Sequence, residues 1–88
     1  TGAFLLAEAG LLAGRAATSI EDLDALRARH RDVDVRADVR WIDEGAVVTS
    51  AGFAAGIDMS LHLVARLAGR DLAVRTARQM DVVWHERP

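Results

Sequence analysis

Cysteine is missing from the sequence, so neither a disulfide nor a thiolate metal site can form within it, and a reducing cytoplasm is the expected setting. Long apolar runs are missing as well. None approaches the ~20 residues that a membrane-crossing helix needs, and no basic region precedes the apolar start. Neither a span nor a secretory signal is therefore expected, and the membrane is not an expected partner. With a formal net charge of -2, the chain shows no basic surface for direct nucleic-acid contact. HExxH, Walker A and GxGxxG patterns do not occur, and His30, His62 and His85 are too scattered for a zinc spacing. No metal or other cofactor is expected.

What is present is a globular composition. Hydrophobic residues make up 51% of the 88, which fails the low-hydrophobicity, high-charge signature of disorder. A chain of this length buries only about 60% of its unfolded surface, so an independent fold is marginal. No repeat, low-complexity tract or internal linker breaks it, and it reads as one structural unit.

The opening TGAFLLAEAGLL predicts a helix from Thr1 to Leu12 that is apolar on most sides, with Glu8 its only charge. Such a helix must be buried, Leu5 included, and asks for packing material beyond these residues. Gly10 and Gly14 punctuate its end, and Arg15 to Ser19 suits a short strand. Ser19 and Asp22 have the spacing of a capping box, predicting a helix from Ile20 to His30 with Ile20, Leu23 and Leu26 inward and its arginines solvated. Val33 to Arg36, Val39 to Ile42 and Val47 to Ser50 are β-branched runs. Asp43-Glu44-Gly45 is a hairpin turn between the last two, and Trp41 and Ile42 take opposite faces, Trp41 half-buried. Ile57, Leu61, Val64 and Ala68 repeat at helical spacing, widened by Leu63 and Leu67, so a helix is predicted from Gly56 to Leu67, closed by Gly69. A last helix starts at Asp71 with Leu72, Val74, Ala77 and Met80 inward. This order suits part of an α/β layered domain.

Chemistry-bearing groups are few. Thr1-Gly2-Ala3 and Ser50-Ala51-Gly52 are small-residue helix starts, where free N–H groups can face an anion or developing oxyanion. Tight packing of turns explains the same residues equally well. Asp58 reads as a dipole-favoured or capping carboxylate in the first turn of its helix, and His62 as a partly exposed or hydrogen-bonded helical histidine.

Two blocks carry a family likeness. TGAFLLAEAGLLAGRAATS resembles the stretch after the nucleophile in ThiJ/PfpI-type (class I glutamine amidotransferase-like) proteins, where a Cys-Thr-Gly-Ala run opens a Leu-rich helix followed by Gly-Arg and a strand. VVTSAGFAAGIDMSLHLVARLAGRDLAVRTARQM resembles the TSAG-x-x-AGID helix signature of the same family. Together with the hairpin between them they cover nearly the whole chain.

The resemblance implies the C-terminal half of a flavodoxin-like doubly wound sheet. In matching register the nucleophilic cysteine would immediately precede Thr1, and the Thr1 amide would be an oxyanion-hole donor. Residues 1–88 would then be the C-terminal portion of one domain whose N-terminal portion, carrying the cysteine and an acidic residue, is the expected partner. A homodimer of the complete protein and a small-molecule ligand are further implied. The Cys-Thr-Gly form is most similar to isonitrile hydratase-like enzymes and to sensor domains of AraC-type regulators. Thr1 is the one hydratase site residue that maps here, and Thr18-Ser19-Ile20-Glu21 replaces the relatives' Thr-Thr-His-Trp, removing a histidine. The expected function is part of a cysteine-dependent hydro-lyase, with Thr1, Gly2, Ser50, Ala51 and Gly52 at the pocket. The alternative is a ligand-sensing domain of an AraC-type transcription regulator, or a non-catalytic family member.

Overall fold

In the computed structural model, which describes residues 2–88, the chain runs α1 (Gly2–Glu8), β1 (Ala16–Ala17), α2 (Leu23–Arg29), β2 (Asp34–Val35), β3 (Trp41–Asp43), β4 (Val48–Ser50), α3 (Phe53–Ala68) and α4 (Arg70–Met80). β1 and β2 pair in parallel, joined by α2 as a crossover. β3 and β4 form an antiparallel hairpin in which Trp41 faces Ser50, Ile42 faces Thr49 and Asp43 faces Val48. The expected α/β architecture of flavodoxin-like type is what the chain adopts.

Backbone direction in β1 explains how the two sheets meet. The carbonyls of Arg15 and Ala17 accept from Asp34 and Arg36 of the β2 strand. Because strand residues alternate sides, the amides of Ala16 and Thr18 point the other way. There they meet hairpin side chains: Ala16 donates to Glu44 Oε1 at 2.6 Å and Thr18 to Thr49 Oγ1 at 3.0 Å. The hairpin turn carries Gly45 at φ 84, a left-handed conformation that a side chain would strain, and its amide donates to Asp43 Oδ1.

One core cluster joins α1, β1, α2 and β2 through Ala3, Ala7, Leu12, Ala17, Leu26, Val33 and Val35. Trp41, Ala55, Leu61, Ala73 and Ala77 are buried where the hairpin, α3 and α4 meet. Two alanines on α4 let the helix lie close to α3, and Gly69 at φ 100 makes the sharp break between them.

Several expectations need correction. α1 ends at Glu8, and its burial is one-sided: Leu5 is 69% exposed and Leu11 half exposed, while Leu12 beyond the helix is buried. Nothing among the described residues covers the Leu5 face. Ser19 and Asp22 form no capping box, because Asp22 sits in the left-handed region and makes no side-chain cap, so α2 starts at Leu23 and Ile20 is left exposed. α3 begins at Phe53, three residues before the predicted start. Of its predicted stripe Leu61 is buried, whereas Leu67 is 76% exposed and Ile57 is also exposed. α4 buries Ala73 and Ala77 and leaves Leu72 and Met80 outward, since alanine is what a close helix pair can accept. Trp41 is buried to 4% exposure, deeper than the half-burial expected. Among the described residues no helix is long and apolar enough to cross a membrane.

Leu61→Ala removes a fully buried side chain and is expected to cost about 3 kcal/mol, whereas Leu67→Ala is expected to stay within about 0.5 kcal/mol. Denaturant unfolding of the two variants checks this, and equal effects would relocate the core.

Candidate functional site

The end of β1 is where the architecture opens. Thr18 is fully buried and its hydroxyl donates to the Arg36 carbonyl at 2.7 Å, so both its backbone amide and its side chain are committed to neighbouring strands. That commitment fixes the loop 18–21 beside the end of β4, where Ser50, Ala51 and Gly52 lead into α3. Gly52 is the extended residue before the helix, and a Cβ there would lie 3.8 Å from the Ile20 side chain. α1 brings Gly2 to the same place.

These segments enclose a cleft of about 1030 Å³. Leu5 and Leu6 of α1, Ile20, and Phe53 and Met59 of α3 supply apolar walls, and Thr18, Ser19, Thr49 and Ser50 supply hydroxyl-bearing residues. Gly56 keeps the β4 side open, since a Cβ there would approach Ser50 Oγ to 3.5 Å. Glu21 is the one ionisable side chain among the described lining residues. Such a surface suits a small molecule with an apolar body and a few hydrogen-bonding groups.

Of the residues singled out in the sequence, Gly2, Ser50, Ala51 and Gly52 come together at this cleft, and Thr1 lies outside the described residues. Sequence reasoning did not place Thr18, Ser19 or Thr49 at the pocket: Thr18 and Ser19 were read as strand residues, Ser19 also as a helix cap, and Thr49 as part of the last strand and its motif block. Their signal was slight: small hydroxyl residues closing two strands, all buried, with the Thr18 hydroxyl donating to the Arg36 carbonyl and Thr49 Oγ1 accepting from the Thr18 amide.

A second constellation lies on α3. Asp58, His62 and Arg66 are spaced by four and so share one face of the helix. That face meets the hairpin edge. His62 stacks on Trp41 with ring centres 4.0 Å apart, and its Nε2 lies 2.7 Å from Asp43 Oδ2. Arg66 donates to both Asp43 oxygens at 2.7 and 2.9 Å. Asp58 is 2% exposed and accepts from Arg40 Nε at 3.1 Å, from Arg40 Nη2, and from the His85 amide at 2.8 Å. The expectation that Asp58 serves the helix dipole or caps the first turn is therefore corrected. It stands in the second turn, and its carboxylate leaves the helix to hold two distant segments. His62 is, as expected, partly exposed and hydrogen-bonded. Among the described residues no group of three or more metal-ligating side chains gathers.

Burial works against ionisation of Asp58, but the His85 amide and Arg40 outweigh it and hold the carboxyl below its ordinary range. The bond from His62, then the Gly45 amide and Arg66, depress Asp43 against a smaller burial effect. Both carboxyls thus have folded values below unfolded ones. Their stabilisation is complete above the ordinary value of about 4 and is lost as pH falls through the depressed folded values. Asp58→Asn is expected to cost about 2 kcal/mol at neutral pH, the gap from the unmodified protein closing as pH drops below about 4. Stability curves at several pH values test it, and a gap of constant size would remove the carboxylate as its source.

No family model matches the chain. Across its full length it is 44% identical, over 89 aligned residues, to the HTH-type transcriptional regulator CdhR of Pseudomonas aeruginosa, and it spans 26% of that protein. Its structure superposes with a TM-score of 0.71 on a cysteine-to-alanine mutant of a DJ-1 superfamily protein from Salmonella typhimurium, at 28% identity. That match covers 94% of this chain and 43% of the Salmonella chain. The chain therefore spans about a quarter of the curated relative and under half of the solved one. Shared fold, shared sequence and the two motif blocks agree: the chain belongs to the DJ-1/ThiJ superfamily.

Proposed function

We propose that this chain forms part of the ligand-sensing domain of a helix-turn-helix transcription regulator of AraC type. The observation that carries the reading is the 44% identity to a transcriptional regulator along the whole chain. The cleft supports it. Its described lining combines apolar walls, buried hydroxyl residues and a single carboxylate, a surface for recognising a small molecule. Gly2, Ser50, Ala51 and Gly52 wall the ligand site in this reading. An N-terminal portion of the same domain covers the exposed Leu5 face, and the complete protein pairs with itself to act on DNA through a region other than this one. DNA contact is not assigned to these residues.

The test uses the protein as encoded in its host, with a reporter fused to a promoter it binds. Gly52→Trp places an indole beside Ile20 in a backbone conformation that any L residue adopts. It is expected to reduce the small-molecule response of the reporter about tenfold or more while leaving promoter binding intact. The cysteine-dependent hydro-lyase reading makes the opposite prediction. Turnover of methyl isonitrile that disappears on thiol alkylation, with no promoter occupied, would replace the sensor by an enzyme.

A further inference from the structure

The cleft and the buried carboxylate belong to the same two turns of α3. Gly52, Phe53, Gly56 and Met59 line the cleft, while Asp58 between them faces Arg40 and the segment after α4. That segment has no regular structure from Val82 to Pro88, yet it is held in place. Asp81, in the left-handed conformation at φ 58, turns the chain back. The His85 amide donates to Asp58 Oδ1 at 2.8 Å, and His85 Nδ1 lies 3.2 Å from Oδ2. Glu86 takes Arg70 Nε and Nη2 at 2.8 Å each, and the same guanidinium lies over the Trp84 ring at 5.9 Å. With no helix or strand of its own, the segment owes its course to these few anchors.

We propose that residues 82–88 are a strap whose docking on Asp58 reports the occupancy of the cleft, an inference that rests on the ligand-sensing reading above. The mechanism is geometric. A helix moves as a rod over two turns, so a group that presses on Gly56 or Met59 displaces Asp58 with them. Hydrogen bonds are steep in distance, and a shift of about 0.7 Å takes a 2.8 Å bond out of the effective range. An occupied cleft therefore loosens the His85 attachment, and the strap peels back toward its second anchor at Arg70. Freeing the strap removes a donor from Asp58 and so loosens the start of α3, and by linkage it raises the affinity of the cleft for its ligand.

Hydrogen exchange of the protein as encoded in its host tests both directions. Gly56→Met fills the cleft from within the helix, starting 3.5 Å from Ser50 Oγ. It is expected to speed exchange of the His85 amide, which Asp58 holds, about tenfold, within the usual span of coupling between sites, with α4 unchanged. Glu86→Ala cuts the far anchor at an exposed position and is expected to speed exchange at 52–59 by a factor of about five. Unchanged exchange of the His85 amide in folded Gly56→Met, or of amides 52–59 in Glu86→Ala, would overturn the coupling. If Gly56→Met does not fold, Glu86→Ala decides alone. Coupling seen by exchange with a promoter reporter deaf to Gly56→Met keeps the strap and removes the sensor. A reporter that responds while the strap stays protected removes the strap alone.

Discussion

A carboxylate taken out of water keeps its charge only if donors replace the water, and at Asp58 those donors come from two distant parts of the chain. The helix presents the oxygens, the residue before the hairpin supplies a guanidinium, and the segment after α4 supplies an amide. None of these segments can drift without leaving an uncompensated charge behind. The placement of the hairpin against α3 follows, reinforced one turn on by Trp41 and Asp43 against His62 and one turn further by Arg66. Strand period two and helix period near four coincide over this short distance, which lets a polar stripe act as a ruler between layers.

The cleft depends on that ruler at one remove. β4 delivers Ser50 to Gly52 to the start of α3, and Thr49 on the same strand holds the end of β1. Hence the walls made by the loop 18–21 and by α3 are set by one strand that is itself fixed by the helix. Among the described lining residues, Glu21 is the one ionisable side chain, set at the edge of these walls.

The fold was largely legible in the residues, because the hairpin turn, the long helix and the two motif blocks are local signals. The lining role of Ser50, Ala51 and Gly52 was open in the sequence, and their proximity to the end of β1 emerges only from the long-range bond of the Thr18 amide to Thr49. Burial was less legible. Apolar spacing named Ile57 and Leu67 as core, but α3 turns its Asp58, His62 and Arg66 face to the hairpin, and the apolar positions are left partly outward. The i, i+4, i+8 series of acid, imidazole and guanidinium was the available clue. Ile20 failed for another reason: Asp22 takes a left-handed conformation, so α2 does not start until Leu23. α1 was read as apolar on most sides and therefore buried, whereas among the described residues its burial is one-sided and Leu5 faces outward.

The amides of Ala16 and Thr18 have a further consequence. A strand border with free donors invites a strand from another molecule to add on, the first step toward fibrous aggregates. Here Glu44 and Thr49 occupy those donors with side-chain oxygens, so an incoming strand would have to displace a carboxylate and a hydroxyl before forming its own ladder. The hairpin thereby works as a chaperone for its neighbour, guarding this border of the parallel pair.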